Sequence, residues 1–234
     1  FEKEEFSGLS YNPATDTLFT VSGKQPQLVE LSLSGQVLRS IAIKGAANLE
    51  GVALLEDGHV AVLDERQRKL SIFRLDADTR ALDSAQAVQQ IELGTVGGSN
   101  KGFEGLAWDK RNQRLLVANE KNPLRLFSLA CDGRQVSGPL QALGDLDDYL
   151  TDVAGLSVDP RSGQLLALSQ ESHLLLGLDP QLQAQSFLAL LPGLNGLTRR
   201  VPQAEGLALD NAGNLYVVSE RNLFFAFQRE VSAP

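Results

Sequence analysis

The sequence predicts an all-β protein folded as a five-bladed β-propeller, with about four antiparallel strands per blade and six blades as the alternative count. Three observations lead there. A glycine-centred motif returns five times, as "FSGLSYN" at Gly8, "LEGVALL" at Gly51, "FEGLAWD" at Gly105, "VAGLSVD" at Gly155 and "AEGLALD" at Gly206, with spacings of 43, 54, 50 and 51 residues. Each return leads through a polar turn into a second apolar run. No segment carries the periodicity of a good amphipathic helix, which a solenoid of similar period would need.

The first repeat continues from its motif through the turn "NPATDT" to "LFTVS", "QLVELSL" and "VLRSIAI". The second turns at "EDGH" and runs through "VAVLD", "KLSIFRL" and "VQQIEL". The third passes "DKRNQR" to "LLVAN" and "LRLFSL", the fourth "DPRSGQ" to "LLALS" and "HLLLGLD", and the fifth "DNAGN" to "LYVVS" and "LFFAFQ". Short apolar or alternating runs bounded by Gly, Asn, Asp and Pro are strand signals, although leucine is more frequent here than strand propensity favours. The whole chain, 1–234, reads as a single propeller domain with blades at about 6–45, 46–99, 100–148, 149–200 and 201–230. The fifth repeat stops after its third strand, near Gln228, so N-terminal residues are expected to close the ring. "FEKEE" is short for that purpose, which implies further residues before Phe1.

Lysine and arginine number 21 against 29 acids, a formal charge of −8 with no block of one sign. Phosphate neutralisation needs a concentrated basic face, so a nucleic-acid partner is excluded. The one cysteine, Cys131, allows no internal disulfide and no multi-cysteine metal site, and beside Asp132 and Gly133 it reads as a surface-turn thiol. No apolar run reaches the ~18 residues that a membrane-spanning helix requires. "FEKEEF" lacks the basic and apolar regions of a signal peptide.

In a blade, the first segment of each repeat is the innermost strand. The residue before the motif glycine is then Ser7, Glu50, Glu104, Ala154 or Glu205, one per blade near the axis. The second segment ends in Ser22-Gly23, Asp64-Glu65, Asn119-Glu120, Ser169-Gln170 or Ser219-Glu220. Antiparallel pairing sets that end beside the start of the first strand, so both columns share one rim. Blades 2, 3 and 5 carry glutamate in both. Lys24, Arg66, Lys121 and Arg221 follow the second column, with Glu171 in blade 4.

Three carboxylates converging on an axis repel one another, by roughly 4 kcal/mol for two unit charges 4 Å apart at an effective dielectric of about 20. Protons, the rim cations or a bound metal would relieve this. Oxygen-only donors favour a hard cation, calcium before magnesium. The candidate metal ligands are Glu50, Glu104, Glu205 and Ser7, with Asp152 standing in for blade 4. The rim candidates for ligand binding are Glu65, Glu120, Glu220, Lys24, Arg66, Lys121 and Arg221. No organic cofactor is indicated.

Other features carry less. His59 and His173 have no serine or cysteine nucleophile pattern around them. "GTVGGSN" lacks the lysine and the helix of a phosphate loop and reads as a connection between blades 2 and 3. Trp108 reads as packing between blades, and "LGDLDDYLTDVAG" as a solvated loop without EF-hand spacing.

With the repeats laid out, the chain resembles the SdiA-regulated family, the YjiK-like bacterial proteins. The likeness runs through "SGLSYNPATDTLFTV", "LDERQRKLSIFRL", "GFEGLAWD", "NEKNPLRLF", "LSQESHLLL" and "QAEGLALDNAGNLYVVSERNLFFAF". It implies a propeller in the periplasm or anchored at the inner membrane by a segment outside this chain, and it implies no particular reaction. The expected function is a non-catalytic, calcium-stabilised binding or scaffold module of the cell envelope, with an unknown small molecule or protein at the rim. A calcium-dependent hydrolase of lactones or phosphate esters, using the glutamate rim, is the alternative.

Overall fold

The computed structural model describes residues 5–96 and 102–229. Blade 1 holds β1 (Phe6–Asn12), β2 (Thr17–Ser22), β3 (Gln27–Leu31) and β4 (Val37–Lys44). Blade 2 holds β5 (Leu49–Leu54), β6 (His59–Asp64), β7 (Lys69–Arg74) and β9 (Gln89–Glu92), with the short β8 (Ala81–Asp83) between the last two in sequence. Blade 3 is β10 (Phe103–Asp109), β11 (Arg114–Asn119), β12 (Arg125–Cys131) and β13 (Val136–Asp145). Blade 4 is β14 (Gly155–Val158), β15 (Leu165–Ser169), β16 (Leu174–Leu178) and β17 (Ala184–Ala189). Blade 5 is β18 (Ala204–Leu209), β19 (Leu215–Ser219) and β20 (Leu223–Phe227). Each blade is an antiparallel sheet in chain order, and the inner strands touch in the sequence β1, β5, β10, β14, β18 and back to β1. This is the five-bladed propeller that the repeats predict.

The second strands form a buried layer. β2, β6, β15 and β19 are buried along their whole length, because each lies inside its blade with a neighbouring blade on both faces. Such strands read as continuous apolar runs rather than alternating ones. The outer strands behave differently: β4 alternates buried and exposed at its C-terminal end and β17 is largely exposed. The core is accordingly five clusters, one at each junction between blades. The fifth joins Phe6, Leu9, Leu18 and Val29 of blade 1 to Ala208, Tyr216 and Val218 of blade 5 and so closes the ring.

Two details depart from the repeat or correct it. β8 leaves blade 2 and pairs in parallel with β4, tying the outer edge of blade 1 to its neighbour, where Lys44 meets Asp83 at 2.9 Å. Cys131 is buried, with 3% of its surface exposed, and belongs to the core between blades 2 and 3, which overturns the surface-turn expectation. It ends β12 facing inward, ahead of the turn rather than in it. The expected N-terminal closing segment falls on residues 1–4, and the glycine-rich connection mostly on 97–100, both outside the described residues.

Candidate functional site at the glutamate mouth

Each of the three inner-strand glutamates occupies a β-bulge. In β5 the pairing steps from Leu49 opposite Asp64 to Gly51 opposite Leu63, which leaves Glu50 as the extra residue. In β10 it steps from Phe103 opposite Asn119 to Gly105 opposite Ala118, leaving Glu104, and in β18 from Ala204 opposite Ser219 to Gly206 opposite Val218, leaving Glu205. A bulge removes one residue from the ladder and re-aims its side chain. Blade 1 differs: Ser7 stays paired with Val21 and the extra residue is Gly8, at φ +59°. Blade 4 has no acid here; β14 begins after Ala154, whose N–H donates to the Leu168 carbonyl at 2.9 Å.

The glycine that follows each glutamate answers a packing demand. A Cβ on Gly206 would stand 2.5 Å from the Gly8 carbonyl carbon, and one on Gly51 would stand 2.9 Å from the Glu104 carbonyl oxygen. At these two junctions the inner strands meet backbone to backbone, while a Cβ on Gly105 would stand 2.7 Å from the Leu156 side chain, so none of the three positions has room for a side chain. The repeated "EG" pair therefore combines an acid aimed by a bulge with the glycine that lets neighbouring blades close.

The glutamates interact strongly. Burial, then the charges of Glu120, Glu205, Glu50 and Glu65, push the Glu104 carboxyl up to about 10. Burial, then the charges of Glu50, Glu220, Asp152 and Glu120, raise Glu205 to about 9. Burial raises Glu50 to about 7; hydrogen bonds from Ser7 and Asn48 oppose it, and the charges of Glu65 and Glu220 add to it. Glu220 is also raised, by burial and by Glu5, with Gln203, Lys24 and Arg221 acting against this. The structure thus brings both predicted columns of glutamate into one electrostatic cluster. Asn48 donates at 2.6 Å to Glu50 and at 3.1 Å to Glu65. Among the described residues, no lysine or arginine forms an ion pair with Glu50, Glu104 or Glu205.

The rim cations lie further out. Lys121 bridges Glu120, at 3.5 Å, and Glu171, at 2.5 Å, and Lys24 pairs with Glu5. Arg66 and Arg221 are exposed. Asp152 is fully buried and already engaged: the Ser169 hydroxyl and the backbone N–H groups of Gln170 and Glu171 all donate to it. Asp64 organises blade 2 in the same way, accepting from the N–H groups of Ala47, Asn48 and Gln67. Among the described residues, no group of three or more His, Cys, Asp and Glu side chains stands in an arrangement that could hold a metal ion.

The other end of the channel was not singled out as a site by the motifs. A cavity of about 940 Å³ opens there, lined from all five inner strands by residues including Tyr11, Leu54, Trp108, Val158 and Leu209. These stand three residues beyond the five motif glycines, so the signal lay in the repeat, in its column of large side chains. Trp108 packs against the core between blades 2 and 3, as expected, and also donates from Nε1 to Glu56 at 3.2 Å. His59 lies at this mouth with Nδ1 3.0 Å from the Glu56 carbonyl, while His173 sits in the turn before β16.

The model of one protein family, described as SdiA-regulated, matches residues 2–228. Among solved structures, the glutaminyl cyclase of Myxococcus xanthus is similar at 18% identity and TM-score 0.64, over 96% of this chain and 90% of that one. A chain of the nidogen/laminin complex matches at 16% identity and TM-score 0.61, over 96% and 80%. A luciferin-regenerating enzyme matches at 14% identity and TM-score 0.53, over 92% and 83%. At such identities the likeness extends to the fold alone.

Proposed function

The chain belongs to the SdiA-regulated family, and from that premise we propose that it is a non-catalytic binding module whose acidic channel mouth takes up positive charge, calcium being the ion its oxygen donors suit. One observation carries the proposal: Glu50, Glu104 and Glu205 are aimed inward by bulges, are raised in pKa by burial and by one another, and have no ion pair among the described residues. A cation would relieve a repulsion that is otherwise relieved by protons. The carboxyls are not gathered at coordinating distance, so calcium would have to draw them together, and it would compete with protons for them. A non-catalytic role is favoured because Lys24 and Lys121 are already paired with acids and are not poised for a substrate anion. Placement in the periplasm or at the inner membrane is proposed from the family resemblance alone.

Thermal unfolding with calcium or with chelator, at pH 5 and at pH 8, tests this. Millimolar calcium should raise the Tm by a few degrees at pH 8 and by less at pH 5, because calcium must displace protons from these carboxyls and the competition is about a thousandfold stronger at the lower pH. Glu104→Gln should abolish the calcium response. A Tm indifferent to calcium at both pH values would sink the cation proposal. Calcium-dependent turnover of a lactone or phosphate ester, lost in Glu120→Gln, would replace the binding module by the hydrolase.

A further inference from the structure

We propose that the wide mouth opposite the glutamates is a second binding site, for an amphipathic monoanion whose apolar body enters the channel and whose single acidic head meets Arg111. The cavity there, about 940 Å³, is of the size that small-molecule sites occupy. Its throat is apolar: Leu9, Val52, Leu106 and Leu156 line it, and all are buried. Trp108 and Tyr11 widen it towards solvent, with polar residues at the lip.

Charge at the lip selects the head group. The carboxylates lining the cavity are neutralised: Glu56 accepts from Lys110 at 2.9 Å, Asp159 pairs with Arg161 at 2.9 Å, Asp57 pairs with Arg134, and Asp76 has Arg74 at 3.8 Å. Of the lining cations, Arg39 is held by Glu30 and Lys110 by Glu56. Arg111 differs. It reaches from blade 3 to blade 4 and donates to the carbonyls of Arg161 and Ser162, and no carboxylate among the described residues pairs with it. Two of its five N–H donors are engaged in those bonds, so the guanidinium keeps both charge and donors for an incoming anion. A guanidinium without a carboxylate partner among the described residues, beside an apolar throat, complements one acid on an apolar chain.

Trp108 is the chain's only tryptophan, so its emission reports on this cavity alone. Titration with straight-chain carboxylates from hexanoate to decanoate should give a saturable change in that emission. Affinity should tighten by up to about fourfold per added methylene while the chain still gains buried surface. Decyltrimethylammonium should bind more weakly than decanoate. Arg111→Ala should weaken decanoate about fivefold, the worth of an exposed charge contact, and leave 1-decanol unchanged. Salt added to the unmodified protein should likewise weaken decanoate and spare decanol, which tests the charge contact without any substitution. Absence of a saturable Trp108 response, or tighter binding of the cationic amphiphile, overturns the proposal. At neutral pH Glu104→Gln should leave decanoate affinity unchanged, which separates this site from the one at the other mouth.

Discussion

The two mouths of this channel are both ringed by acids, and the acids have opposite fates. At the wide mouth the aspartates ending three inner strands are taken up by the turns that follow them. Asp109 accepts from Arg114 at 2.9 Å and from the Asn112 side chain at 2.7 Å. Asp159 and Asp210 are pushed up by burial, yet hydrogen bonds hold both below the usual carboxylate range, from Arg161 in one case and from Asn214 and Tyr216 in the other. At the glutamate mouth the order is reversed: burial dominates, the neighbours are acids, and the carboxyls are held well above that range. The difference comes from backbone geometry. An aspartate at a strand end is within reach of the N–H groups of the next turn, whereas a bulged glutamate is turned out of the ladder towards the axis.

Three substitutions would break or sharpen that contrast, the largest effect first. Gly206→Ala places a methyl group 2.5 Å from the Gly8 backbone, where no side chain can give way, and should cost about 3 kcal/mol or more in chemical denaturation. If it costs less than about 1 kcal/mol, the backbone contact around the axis is not what fixes the "EG" pair. Asp152→Ala removes an acid of the satisfied kind and strands its donors, and a loss of about 2 kcal/mol is expected.

Glu104→Gln should act with the opposite sign. The carboxyl binds its proton more tightly folded, at about 10, than at its ordinary 4.5, so the folded state holds more protons between those values and stability falls as pH rises through them. Replacement by the neutral amide removes that loss. The variant should match the parent near pH 4 and gain on it steadily as the pH is raised to 8 without calcium, when urea midpoints are compared. A variant less stable than the parent at pH 8 would show that Glu104 is a satisfied acid like Asp152.

The blades were legible because a five-fold repeat with turn residues at fixed offsets leaves little else to fold into, and the glutamate column because equivalent positions in a propeller share a rim. The bulges were not legible. Whether Glu50 or Gly51 leaves the ladder depends on the partner strand, and "EG" reads the same either way. Cys131 was misplaced because the turn residues beside it, Asp132 and Gly133, hid the last inward position of a strand. Asp152 looked like a free oxygen ligand from its place near Ala154; its engagement by the turn after β15 is a tertiary fact that one segment cannot reveal. Arg111 belongs to no motif; its distinction is the absence of a carboxylate partner among the described residues, which only the folded chain shows.

The glycine contacts around the axis also decide how the two ends communicate. β1 lies near β10 and β14 across the ring as well as beside its neighbours, so the channel between the inner strands is narrow. From Glu104 to Asp109, the strand end that leads to Arg111, is five residues, about 17 Å of extended strand. Over that span, at an effective dielectric of about 20, two unit charges couple by roughly 1 kcal/mol. An anion held at Arg111 would therefore favour a proton or a cation among the glutamates at the other mouth, and a cation there would by reciprocity hold the anion more tightly.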